Sequence, residues 1–333
     1  MRVLVLSHAD IHAALDPGAC EQAMADVLAA RARGEAYNPL RSIVVPPGAA
    51  GFMGLMPAYA ARGAGAGVFA LKALCLMPGN PARGLDTHQG TVTLFDGETG
   101  MPTAILDASA ITAIRTAAVT AAATRTLARQ DARTLAIIGA GVQGRAHLAA
   151  LAPVRRWEEV RVYAPTPEHA RALAAAGAGP DRPPARVLDV PSAREAVTGA
   201  DVIVTVTSAR HPVFEHDWLA PGVHINAVGA SVPTHHELPV ETLAAAALFC
   251  DSRESVRNEA GEFILATEQG AIAGEDHIRA ELGEVLARTA PGRTGDGELT
   301  VFRSLGIGVE DLAAAQLAVE QARRRGLGVE AEL

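Results

Sequence analysis

Of the 29 lysine and arginine side chains in this 333-residue chain, 28 are arginine and one, Lys72, is lysine. Arginine supplies positive charge almost everywhere, so the exception asks for a property arginine lacks. An ammonium can give up or share its proton near neutral pH, whereas a guanidinium stays charged. Lys72 lies in the apolar run Gly67-Val68-Phe69-Ala70-Leu71-Lys72-Ala73-Leu74, a setting that desolvates an amine and lowers its pKa. The pattern points to a catalytic or substrate-gripping amine; the alternative is a stray surface lysine.

A second chemistry is written in Gly139-Ala140-Gly141-Val142-Gln143-Gly144, which follows the apolar run Leu135-Ala136-Ile137-Ile138 and opens a helical pattern. Strand, glycine-rich turn and helix together make a pyrophosphate site. The first glycine (Gly139) permits the turn, the second (Gly141) lets phosphate approach the backbone, and the third (Gly144) lets helix and strand pack. The helix N-terminus supplies unpaired N–H groups and partial positive charge. An acid closing the second strand would hold a ribose 2′-hydroxyl. That stretch reads Tyr163-Ala164-Pro165-Thr166, with no acid to repel a 2′-phosphate. NADP(H) is therefore favoured and NAD(H) possible, with Arg145 and Thr166 as phosphate partners, although no arginine occupies the loop itself.

The elements that must position these groups fall into two patterns. The first part is mixed α/β: a helix over about Pro17–Ala32, strands at Arg41–Val45, Gly67–Leu76, Gly90–Phe95 and Pro102–Asp107, a hairpin turn at Asp96–Gly100, and a helix over about Ala110–Arg129. From Thr134 strands alternate with helices, the mark of a parallel sheet. Six strands are expected there: Leu135–Ile138, Val160–Tyr163, Ala185–Leu188, Asp201–Thr207, His224–Val228 and Leu248–Cys250. A break at Gly295–Gly297 precedes a strand-to-helix return over Leu299–Arg325 toward the first domain. The fold class is thus α/β: a Rossmann nucleotide-binding domain over 116–304, and a split α/β domain over 1–115 with 305–333 returning to it.

The bulk composition narrows the class. A net charge of −8 gives no electrostatic footprint for nucleic acid or an anionic membrane. Arg323-Arg324-Arg325 reads as a solvated helix face. No apolar run approaches spanning length, and the start Met1-Arg2-Val3-Leu4-Val5-Leu6 is unlike a secretory leader. Cys20, Cys75 and Cys250 are three and widely spaced, with no ligand spacing. The expectation is a cytoplasmic protein with no metal site, acting on a small molecule without nucleic-acid or membrane partners.

Several blocks in order then resemble the ornithine cyclodeaminase/mu-crystallin family. They are Gly100-Met101-Pro102-Thr103-Ala104, Ile111-Thr112-Ala113-Ile114-Arg115-Thr116-Ala117-Ala118, the turn Gly139–Gly144, Ala200–Thr207, His224–Ser231, Glu281-Leu282-Gly283-Glu284-Val285 and Thr300-Val301-Phe302-Arg303-Ser304-Leu305-Gly306. The resemblance implies a homodimer in which a split substrate-binding and dimerisation domain accompanies a Rossmann domain. It matches Lys72 to the family's active-site lysine and Arg41 to the arginine that grips the substrate carboxylate, a task suited to a guanidinium fork. Thr87 and Arg115 match positions near the nicotinamide and phosphates. Thr205, the segment Ile225-Asn226-Ala227-Val228-Gly229, His235, and Ser304 with Leu305 match other cofactor-lining positions. His88 and His236 are read as packing or surface residues, and Asp296 and Glu298 receive no role.

Two positions depart from the cyclodeaminases of that family. Gly54 stands where they carry a glutamate before Leu55-Met56-Pro57, and Ser231 where they carry an active-site aspartate. Those carboxylates would hold the distant amine of a diamino acid. Ser231 is kept as a substrate-binding position, active or passive. Gly51–Tyr59 and the Ser231 end are more similar to the ketimine reductases. The implied reaction is NAD(P)H-dependent reduction of a cyclic ketimine carboxylate, Δ1-pyrroline-2-carboxylate or Δ1-piperideine-2-carboxylate, to proline or pipecolate. Ornithine cyclodeaminase, alanine dehydrogenase and opine-type synthase are the alternatives within the family, and an NADP- or small-ligand-binding protein the non-enzymatic one.

Overall fold

A computed structural model describes residues 2–62, 65–177 and 186–332. The chain divides into two compact units, Met1–Arg115 with Gly306–Leu333, and Thr116–Leu305. No helix among the described residues is long and apolar enough to cross a membrane.

The first unit is an eight-stranded sheet in the order Val329–Glu332, Arg2–Leu6, Pro102–Asp107, His88–Asp96, Gly65–Leu76, Phe52–Arg62 and Ala36–Tyr37, with Ser42–Val44 paired off Phe52–Arg62. Its long central pairs are antiparallel, and period-2 alternation sorts their side chains. Met56, Ala58, Val68, Ala70, Leu74, Val92 and Leu94 are buried. Across this face lies the helix Gly308–Arg325, which also packs on the helix Pro17–Ala32. Asp16 accepts from Ala19 N at 3.0 Å and Pro17 occupies the first turn, so the second helix starts where its sequence signals place it. The other sheet face carries exposed apolar groups, among them Met53 and Phe69 (41% and 48% exposed).

The second unit is a parallel sheet of eight strands: Val187–Asp189, Glu159–Tyr163, Thr134–Ile138, Val202–Thr205, His224–Ala227, Thr300–Arg303, Ala247–Cys250 and Ile278–Glu281. Counted along the chain from Thr134, the first five run 3-2-1-4-5. The order reverses beside the glycine-rich turn, where open α/β sheets bind ligands.

Several elements differ from the sequence reading. Phe52–Arg62 is the longest partner of Gly65–Leu76, yet its Gly, Pro and Ala content hides any strand pattern. Ile278–Glu281 was likewise unmarked. The return over Leu299–Arg325 splits: Thr300–Arg303 stays in the second sheet, paired on both sides and fully buried, and only the helix joins the first unit. Ala185, the start of one expected strand, lies outside the described residues, and pairing begins at Val187.

Candidate active site

Lys72 occupies a core-facing position of its strand, in register with Met56 on one side and Val92 on the other. Its side chain is 1% exposed. An ammonium cannot be buried there without an anion, and the helix Gly308–Arg325 brings one. Nζ lies 2.9 Å from Asp311 Oδ1 and 2.8 Å from Oδ2, with Thr112 Oγ1 at 3.5 Å. Arg115 Nε donates to the same Asp311 Oδ1 at 2.8 Å, and its Nη1 to Glu310 Oε2 at 2.7 Å. Glu310 and Asp311 sit in the first turn of their helix, where the dipole favours negative charge. Two cations and two carboxylates thus form one buried, mutually compensated group.

The balance of forces leaves Lys72 easier to deprotonate than an ordinary lysine. Burial lowers its pKa most; Asp311 opposes this, and the charges of Arg115 and Arg41 add to the lowering, leaving it at about 8. For Asp311, burial alone would raise the carboxyl, but Arg115 and Lys72 outweigh it and hold it below the usual range. Arg41 is half-buried and donates from Nη2 to Gly306 O at 2.8 Å. Thr87 is half-buried just before the strand His88–Asp96, and its carbonyl accepts from Met77 N at 2.9 Å. His88 is held below its ordinary pKa by burial, with Asp86 opposing and Lys72 and Arg115 contributing.

In the second unit the glycine turn has the shape a pyrophosphate needs. Gly139 has φ +114°, and a Cβ there would lie 2.6 Å from Val206 O. A Cβ on Gly144 would come within 2.2 Å of Gly139 O, so the helix approaches the strand as only glycine permits. At Gly141 a Cβ would meet nothing within 4 Å, which leaves the turn open above the start of the helix Val142–Leu151. No side chain caps that helix, and its first N–H groups suit an anion. Gln143 is half-buried, and Arg145 and Thr166 are exposed, the latter at the start of the helix Pro167–Ala176. These residues fit a dinucleotide.

The remaining expected cofactor positions sort by burial. Ile225, Asn226 and Ala227 are strand residues with no exposed surface, and their side chains are not offered to a ligand. Asn226 is spent internally, on Thr124 Oγ1 at 3.0 Å and His224 Nε2 at 3.2 Å. The Thr205 hydroxyl is likewise spent, on Glu237 Oε2 at 2.9 Å. Val228 and Gly229 lie just beyond the strand end, followed by half-buried Ser231 and His235. Ser304 and Leu305 are buried; Ser304 N donates to Ala227 O at 3.0 Å and Leu305 N to Asp251 Oδ2 at 2.6 Å.

The sequence reading missed the acids that organise both units. Glu310 and Asp311 carry one available signal, two adjacent carboxylates inside an otherwise apolar helix face. Glu237 carries none, since it stands alone between two histidines and a Leu-Pro pair. It is fully buried and accepts from Thr205 Oγ1, Thr207 N and Oγ1 (both 2.7 Å) and Gly229 N (2.7 Å). Burial pushes its carboxyl above the usual range, opposed by these donors and by Arg303. Arg303, paired with Glu262, donates to the carbonyls of Ala227, Ser304 and Ala230. Together they pin the loops after the fourth and fifth strands. Among the described residues no group of three His, Cys, Asp or Glu side chains could hold a metal.

Residues 1–326 match the ornithine cyclodeaminase/mu-crystallin family. The chain belongs to that family. Within it, the chain is 40% identical over 287 residues to the mouse (Mus musculus) ketimine reductase mu-crystallin, covering 86% of each. Its fold is similar to that of Thermococcus litoralis Δ1-pyrroline-2-carboxylate reductase in complex with NADH and L-proline (TM-score 0.91, 35% identity, 98% and 99% of the chains). An archaeal alanine dehydrogenase dimer with bound NAD is as similar in fold (TM-score 0.92, 31% identity, 100% of both chains). These family members differ in reaction, so the chemistry of this one rests on its own side chains.

Glu237→Gln places an amide donor among donors while leaving volume unchanged. Unsatisfied buried groups cost about 1–3 kcal/mol, so the dinucleotide Kd is expected to rise roughly tenfold, about 1.4 kcal/mol. Calorimetric titration checks this; an unchanged Kd contradicts the role given to Glu237.

Proposed function

We propose that the protein is an NAD(P)H-dependent imine reductase that reduces a cyclic ketimine carboxylate, Δ1-pyrroline-2-carboxylate or Δ1-piperideine-2-carboxylate, to proline or pipecolate. The observation that carries the reading is the sole lysine, buried and held by Asp311 beside Arg41 and Arg115, together with the sequence positions at which the cyclodeaminases carry carboxylates and this chain has Gly54 and Ser231. A Cβ at Gly54 would meet only Ile43 Cδ1, at an ordinary contact distance of 3.6 Å, so the backbone there does not itself demand glycine.

Arg41 pairs with the substrate carboxylate and fixes the C=N carbon. Lys72 donates a proton to the imine nitrogen, because the iminium is the better hydride acceptor. When bound, the dinucleotide supplies hydride to that carbon. The C=N bond thereby gains one proton and one hydride, and Lys72 recovers its proton from solvent. The turn Gly139–Gly144 holds the pyrophosphate, and NADP(H) is favoured over NAD(H) because Tyr163–Thr166 carries no acid. Related structures hold NADH or NAD, so both cofactors belong in the test.

The homodimer is assigned to the sheet face opposite Lys72. Met53, Pro57, Tyr59 and Phe69 share that face, and the Tyr59 and Phe69 rings lie 4.8 Å apart. Exposed apolar surface of this kind marks an association site, and the archaeal relative is a dimer. Phe69→Glu is expected to convert a dimer to a monomer in light scattering. A dimer unaffected by the change would reject this face.

The reaction is tested by loss of reduced-nicotinamide absorbance with each ketimine, using NADPH and NADH in parallel. Turnover is expected with at least one ring, and kcat/KM should fall as pH rises through about 8, where Lys72 loses its proton. Lys72→Arg should lose at least about 100-fold in kcat, the lower bound for a general acid, while still binding dinucleotide. Wild-type turnover by that variant, or turnover of ornithine or of pyruvate with ammonia in place of the ketimines, would overturn the reading.

A further inference from the structure

We propose that Asp311 is the positioning residue for Lys72, fixing the amine with both carboxylate oxygens and keeping it charged at neutral pH while Arg115, steadied by Glu310, shares one of those oxygens. The proton-donor role rests on the imine-reductase reading; the grip of Asp311 on Lys72 does not.

Three geometric facts carry this. Both Asp311 oxygens lie within 2.9 Å of Nζ, Oδ1 accepting a hydrogen bond from the amine and Oδ2 adding a close ionic contact, so the ammonium is held by one carboxylate from one side. The third contact, to Thr112 Oγ1 at 3.5 Å, is the longest, and it is the one a substrate nitrogen can take over without disturbing the ion pair. Arg115 binds Asp311 Oδ1 at 2.8 Å, so the carboxylate keeps a cationic partner after Lys72 has given up its proton. Without Arg115, that step would strand a buried, unpaired anion, which is costly.

The charges facing Lys72 are distributed over four elements. Asp311 and Glu310 come from the helix Gly308–Arg325, Arg115 from the helix Ala108–Leu127, Arg41 from the segment before Ser42–Val44, and His88 with Asp86 from the start of the strand His88–Asp96 and the residues before it. Asp311 is the anion in contact with the amine; Glu310 reaches Arg115 and not Lys72 in the described contacts. The two acids are adjacent in sequence and have separable duties.

Because Lys72 is the only lysine, protein labelled with ¹³C,¹⁵N-lysine gives a single lysine side-chain NMR signal, which can be titrated without any assay of activity. In the wild type the amine is expected to be charged at pH 7 and to titrate far below the ordinary lysine range of about 10.4. Asp311→Asn should lower the midpoint by at least about one pH unit, the usual effect of an opposite charge in contact, and Glu310→Gln should lower or raise it by less. The alkaline limb of kcat/KM should move with the NMR midpoint. A neutral amine at pH 7 in the wild type, which needs no variant to fold, would overturn the proposal, as would an Asp311→Asn midpoint equal to that of the wild type. A midpoint that moves while the limb of kcat/KM stays fixed would leave Asp311 in its role and reject Lys72 as the proton donor.

Discussion

An ammonium group placed on the buried face of an apolar sheet can exist only if a carboxylate is delivered to it. The first unit is arranged around that constraint. Strand alternation aims Lys72 inward, and a helix laid across the sheet brings the acids of its N-terminal turn to the amine. Asp311 on that helix lies 239 residues beyond Lys72 in the chain, so the first unit is built from two separate stretches of sequence. Arg115 and Glu310 complete the charge balance, since removing one member of a buried pair costs about 3–5 kcal/mol.

The second unit solves a different problem with the same means. A dinucleotide site at the ends of parallel strands needs loops that stay put while exposing backbone N–H groups. Glu237 gathers the ends of Val202–Thr205 and His224–Ala227, and Arg303 and Asp251 tie down the segment after Thr300–Arg303. The strand ends on that side therefore present mostly backbone and glycine, with side-chain charge behind them. This arrangement is why several family-matched positions, Asn226 and Thr205 among them, present no side chain to a ligand.

Much of this is legible in the sequence itself. The glycine spacing after Leu135–Ile138 is a local signal with a local cause, and the boundaries of Pro17–Ala32 and Pro102–Asp107 follow from capping and turn residues close by. The lysine count singled out Lys72 because arginine bias made the exception visible. What stayed hidden is long-range. Nothing near Lys72 names Asp311, and nothing near Thr205 names Glu237, because those pairings depend on how distant strands and helices stack. Phe52–Arg62 escaped for another reason: glycine, proline and alanine weaken strand propensity, and its pairing is imposed by its neighbour Gly65–Leu76.

The proposed reaction requires Arg41, beside the charge-compensated group of Lys72, Asp311, Arg115 and Glu310, to receive a carboxylate next to the imine. The most direct measurement compares kcat/KM for a cyclic ketimine bearing the α-carboxylate with the same ring lacking it, at saturating reduced cofactor. The account predicts a preference for the carboxylate of roughly a hundredfold or more, about 2.7 kcal/mol of transition-state binding. Equal turnover of the two rings would contradict it.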